Sequence, residues 1–127
     1  MRTVLMFLAL IFMAIILPPT AGATDPPIPS FGEGKVKVRL YSDYFCPPCR
    51  DMEPGIEPVI TDLVRSNAIT LIFVDTPFYR YSSLYARCFL YAINAKKDLE
   101  HALRVRRALI EAAKNGLDSA DKLETFL

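Results

Sequence analysis

Histidine occurs once in the 127 residues, cysteine three times, and neither sign of charge is in excess. Each scarcity excludes something. His101 and three cysteines do not make the clustered set of about four ligands that a structural zinc takes. Arg2 is the only charged residue before position 24, so residues 24–127 carry 14 basic and 14 acidic side chains. That balance exerts no long-range pull on nucleic acid or on an anionic membrane surface. There is no internal repeat and no low-complexity tract, and residues 24–127 suffice for one small domain.

A long apolar run is missing as well. Thr3 to Leu17 is the longest, about 15 residues, against the roughly 20 that span a bilayer as a helix. It follows a single positive charge at Arg2, stops at Pro18-Pro19 and leads into Ala21-Gly22-Ala23. This is the order of a secretory signal peptide, with cleavage expected after Ala23. Residues 1–23 are therefore read as a signal peptide and the protein as periplasmic or otherwise exported. Any membrane attachment is expected only through an uncleaved signal sequence. No cysteine follows the run directly, so nothing points to a lipid-modified N-terminus.

Residues 24–34, rich in proline and glycine, are expected to form an extended leader. Val36 to Tyr41 alternates and is rich in β-branched and aromatic residues, which predicts a strand. Met52, Ile56, Val59, Ile60, Leu63 and Val64 recur at helical spacing on one face. Ile69 to Val74 is a short continuous apolar run, as expected of a buried parallel strand. Strand, helix and strand in this order predict a βαβ unit over residues 35–77. Residues 78–127 then read as helical. One helix is capped by Ser82 or Ser83 and runs from Leu84 to about Ala95. A second runs from Leu99 to Lys114, with Glu100–Arg104 and Arg107–Glu111 as intrahelical pairs. Gly116 marks a stop, and Asp118 or Ser119 a further start.

The chemistry is concentrated in Cys46-Pro47-Pro48-Cys49, between the first strand and the first helix. Unpaired amides and the macrodipole at a helix N-terminus favour a thiolate, the species that attacks disulfides. The first cysteine lies at the exposed end and the second one turn in. This makes Cys46 the nucleophile and Cys49 the resolving thiol. Prolines fit the first turn, where their missing amides cost nothing. Phe45, Pro47 and Pro48 are candidates for contacting substrate or modulating the pair. Cys88, within an apolar helix, is read as a small buried hydrophobe. Asp43, Glu53, His101 and the Arg104-Arg106-Arg107 run are read as solvated. No cofactor or metal is required. The expected partners are protein thiols and disulfides and a redox partner.

Ser42-Asp43-Tyr44-Phe45-Cys46-Pro47-Pro48-Cys49-Arg50 resembles the active-site segment of DsbA-type members of the thioredoxin superfamily. Pro54 sits where the active-site helix of thioredoxins is kinked, and Phe73-Val74-Asp75-Thr76-Pro77 resembles the passage into an inserted helical subdomain. The resemblance implies an α/β fold, a thioredoxin-like βαβ core with a helical insertion, and thiol–disulfide oxidoreductase activity. It departs in three places. Leu40 stands where many family members carry a buried acid. The dipeptide between the cysteines holds no histidine. The family's closing β-hairpin and final helix, with a cis-proline facing the redox pair, are missing before Leu127, and Pro77 is not assigned that role. Two other readings stay open: a thiol protein that handles a soft ion such as Cu(I), and an inactive truncated remnant of the family.

Overall fold

The computed structural model describes residues 28–126. The signal-peptide reading and the start of the leader lie outside them. Strand β1 (Ser30–Phe31) is followed by β2 (Val36–Ser42), α1 (Pro47–Arg65), β3 (Ile69–Asp75), α2 (Ser82–Ala95), α3 (Leu99–Lys114) and α4 (Ala120–Phe126). The fold is α/β and thioredoxin-like. Its βαβ core is β2-α1-β3, and β2 pairs in parallel with β3 from Val36↔Ile69 to Ser42↔Asp75. That register sets Asp75 beside the residues that lead into Cys46.

The leader is not wholly free of the sheet. Ser30 and Phe31 pair antiparallel with Ile72 and Leu71, giving the order β1-β3-β2. Close approach here demands glycine. Gly32 has φ +86°, and a Cβ on Gly34 would lie 2.3 Å from the Ile69 amide nitrogen. Thr70 Oγ1 donates to the Gly34 carbonyl at 2.7 Å, which ties the segment down. Phe31 is then buried edge-on against Phe73.

Helices α1, α2 and α3 cover the face that carries Ile69, Leu71 and Phe73. Phe89 of α2 meets Phe73 at 5.8 Å, ring edge to ring face. Asp98 caps α3, accepting from the His101 amide at 2.8 Å, and Gly116 ends the turn after it at φ +69°. These boundaries agree with the spacing-based expectation.

Several side chains differ from it. Of the expected apolar face of α1, Val64 is buried, while Met52, Val59 and Leu63 are exposed. The inward position is taken instead by Glu53, because Arg106 reaches it from α3. Arg106 is not solvated; it is 1 % exposed, surrounded by the rings of Tyr44, Phe73 and Phe89 at 4.7–5.3 Å. The intrahelical pairs are replaced by interhelical ones, Arg65 with Glu100 and Arg107 with Glu57, which join α1 to α3. His101 is half-buried, its Nε2 3.1 Å from the Ala92 carbonyl. Ser82 opens α2 without capping it: its hydroxyl accepts from the Tyr79 amide and donates to Asp43.

Candidate redox site

Cys46 occupies the N-cap of α1 in an extended conformation, with Pro47 and Pro48 as the first helical residues. Neither proline has an amide to leave unpaired, and their restricted φ suits the first turn. The chain reaches this point through a tight turn in which the Cys46 amide donates to the Asp43 carbonyl at 3.1 Å. Cys49 follows one turn into the helix. Its thiol is pushed up from the ordinary range, first by its hydrogen bond with Cys46 and then by burial. All three cysteines, Cys88 included, are free thiols here.

Asp43 organises the surroundings. It is 5 % exposed rather than solvated. Oδ1 accepts from the Phe45 amide and the Ser82 hydroxyl, both at 2.8 Å, and Oδ2 accepts from the Phe78 amide at 2.8 Å. One carboxylate thus joins the turn before Cys46, the loop after β3 and the start of α2. A short side chain that accepts from the amide two residues on is a recurrent turn device. An acid three residues before the first cysteine was the available signal in the sequence.

Beneath the pair lies a second polar cluster. The Arg106 guanidinium donates to Glu53 Oε1 at 2.5 Å and Oε2 at 3.2 Å, and to Asp75 Oδ1 at 3.0 Å. Ser42 Oγ donates to Glu53 Oε2 at 3.3 Å, and the Tyr44 hydroxyl to Asp75 Oδ2 at 3.2 Å. Burial raises Asp75 and Tyr44 above their usual ranges, outweighing the pull of Arg106. Burial works against the Arg106 cation too, yet the Glu53 and Asp75 carboxylates more than compensate and hold it charged, with the neutral Tyr44 hydroxyl accepting a further hydrogen bond from it. Glu53 lies four residues after Cys49, the spacing that puts two side chains on one helix face. It sits inside because Arg106 meets it there.

The cysteines open into a cleft of about 490 Å³ that is also lined by Tyr41, Ser42 and Asp43 at the end of β2 and by Thr76 to Tyr79 after β3. Phe45 does not line it; its ring packs at 4.8 Å against Tyr85 and at 6.2 Å against Tyr81. Pro47 and Pro48 are exposed. Among the described residues no group of three or more His, Cys, Asp or Glu side chains is arranged to hold a metal.

A thioredoxin family model, Thioredoxin_4, matches residues 32–125. The chain belongs to the thioredoxin family. Its fold is that of DsbA-type proteins. Chlamydia trachomatis DsbA superposes with a TM-score of 0.68 at 18 % identity, over 86 % of this chain and 62 % of that one. A periplasmic thioredoxin-like protein from Salmonella enterica serovar Typhimurium gives 0.58 at 22 % identity, over 82 % and 57 %. The thiol-disulfide exchange protein alpha-DsbA2 of Wolbachia pipientis gives 0.52 at 22 %, over 78 % and 58 %. This thioredoxin-family chain therefore spans 57–62 % of the length of these structures. No curated protein sequence matches it.

Proposed function

We propose that the protein is an exported thiol–disulfide oxidoreductase that exchanges disulfides with protein substrates through Cys46 and Cys49. The observation that carries this reading is the pair's position: Cys46 at the N-cap of α1 and Cys49 in its first turn, both in the wall of an open cleft. Family membership and the DsbA-type fold support it.

In the reductive direction, the Cys46 thiolate attacks one sulfur of a substrate disulfide. A Cys46–substrate disulfide forms and the other substrate sulfur leaves as a thiolate, which takes up a proton. Cys49 then loses its proton and attacks Cys46 Sγ. The intramolecular disulfide closes, and the second substrate sulfur departs. Two electrons pass to the substrate, and a dithiol partner restores the pair. The oxidative direction is the same sequence reversed. The raised Cys49 thiol suits this order, since it stays protonated while Cys46 makes the first attack. Pro47 and Pro48 flank the incoming sulfur, and Phe45 holds the turn against Tyr85.

Export rests on residues 1–23, which should be removed after Ala23. Mass spectrometry of the exported product tests this and should find Thr24 first. The test of activity is insulin reduction and DTNB turnover by the full chain with Cys46→Ser and Cys49→Ser. Cys46→Ser should abolish both. Cys49→Ser should accumulate a mixed disulfide visible on non-reducing gels. Activity that survives Cys46→Ser would overturn the assignment.

A further inference from the structure

Independently of the redox reading, we infer that the groove between α1 and α3 binds a tetrahedral oxyanion, phosphate or sulfate, through Arg104 and Thr61. Charged residues on a helix surface ordinarily face only water. Here two polar rows meet instead. Glu57, Thr61 and Arg65 recur at every fourth residue of α1, and Glu100, Arg104 and Arg107 at helical spacing along α3. Each set therefore shares one helix face. The rows run in opposite directions, since Arg65 Nη2 meets Glu100 Oε1 at 2.5 Å and Arg107 pairs with Glu57. Thr61 and Arg104 fall between these two links, and all six side chains line one cavity of about 210 Å³.

The middle of the groove holds a cation without an acid. Glu100, four residues before Arg104, pairs with Arg65 of the neighbouring helix instead. Among the described residues Arg104 forms no ion pair, and the Thr61 hydroxyl makes no hydrogen bond within the chain. Three guanidiniums thus face two carboxylates, both already engaged. A guanidinium carries more N–H donors than one acid can use. Arg65 commits only Nη2 to Glu100, and Arg107 only Nη1 to Glu57. The cavity has a surplus of positive charge and a larger surplus of donors.

The chemistry of the occupant follows. The spare donors come from both helices. A carboxylate offers its oxygens in one plane, whereas phosphate and sulfate point theirs to the corners of a tetrahedron. Such an ion can accept from Arg104, from the Thr61 hydroxyl and from the spare N–H groups of Arg65 and Arg107 together. Arginine also matches these oxyanions bidentately. Glu57 and Glu100 oppose any anion and hold its affinity down. A bound oxyanion adds a third link between α1 and α3, and it stabilises the folded chain by mass action.

The test is isothermal titration of the full chain with inorganic phosphate, together with its melting temperature in phosphate, sulfate, acetate and chloride at constant ionic strength. Phosphate should bind, and phosphate and sulfate should raise the melting temperature more than acetate does. Both salts also stabilise proteins generally by exclusion from the surface, an effect equal in all variants, so the site is read from the difference between them. Arg104→Gln should weaken phosphate binding roughly fivefold, the size of a good exposed ion pair. Glu100→Gln should strengthen it. Arg87→Gln, the same loss of charge at an exposed position of α2 outside the cavity, should leave it unchanged. Equal phosphate binding in wild type and Arg104→Gln overturns the inference, as does an equal loss in Arg87→Gln or no binding to wild type. Should Arg104→Gln fail to fold, Glu100→Gln decides: an affinity no higher than that of wild type refutes the site.

Discussion

Replacing Arg106 by methionine removes a cation that holds two buried carboxylates. Arg106 is 1 % exposed, Glu53 is 6 % exposed, and the Asp75 carboxylate is largely buried. Methionine fills similar volume and keeps contact with the Tyr44, Phe73 and Phe89 rings. What it cannot supply is charge or hydrogen bonds. Breaking a buried ion pair from one side costs about 3–5 kcal/mol, because the abandoned partner stays buried. A small domain has only about 5–15 kcal/mol in total. With a urea slope of about 1.5 kcal/mol/M, the unfolding midpoint should fall by roughly 2–3 M. The loss should also depend on pH in a definite sense. Burial already holds the Asp75 carboxyl above its usual range, and loss of the Arg106 cation pushes it further up. Such a group penalises the fold fully above its folded pKa and not at all below its unfolded pKa, about 4. The deficit should therefore be largest near neutrality and shrink as pH falls toward 4. Should Arg106→Met prove too unstable to study at pH 7, Arg106→Met with Glu53→Gln and Asp75→Asn removes the stranded charges and should recover much of the loss. An Arg106→Met midpoint within about 0.5 M of wild type at pH 7 would refute the reasoning.

Two further outcomes are expected. Iodoacetamide should modify Cys49 of the reduced protein only at higher pH than in the urea-unfolded chain, since a raised thiol pKa leaves less thiolate at a given pH; mass spectrometry of the tryptic peptide reads this, and coincident profiles would contradict it. Cys88, whose thiol burial also pushes up, packs against the core, so Cys88→Ala should lower stability by about 1 kcal/mol and leave DTNB turnover unchanged; loss of a covalent dimer in that variant would instead mark Cys88 as an intermolecular bridge.

The elements with strong local signals were legible in the sequence. The α3 limits, Leu99 and Lys114, follow from apolar spacing, and the cysteine pair is announced by its place between strand and helix. What escaped is long-range. Arg106 and Glu53 are 53 residues apart in the chain, and each taken alone has the look of a solvated surface residue. Only the fold reveals that they meet. Asp43 was misjudged for the same reason, since two of its three partners, Phe78 and Ser82, lie beyond β3. Ser30–Phe31 is too short for periodicity to mark, and its pairing depends on two glycines close to Ile69. The cleft's aromatic wall was hidden in a segment that reads merely as the end of a strand.

β2 is the outer strand of the order β1-β3-β2, and among the described residues its far edge has no ladder partner. An edge of this kind offers itself to a second copy. Antiparallel self-pairing about the middle of Val36–Ser42 would set Arg39 against Arg39 of the other copy and Lys37 against Tyr41. Like charges directly opposite one another oppose such a ladder. That protection is a matter of ionic strength. At about 1 M salt the Debye length falls to roughly 3 Å, less than the roughly 5 Å between paired strands. Salting out would then silence the repulsion while the half-buried Val38 gains from meeting Leu40 of the other copy. The guarding basic residues make dilute buffer, rather than concentrated salt, the medium in which this edge stays single.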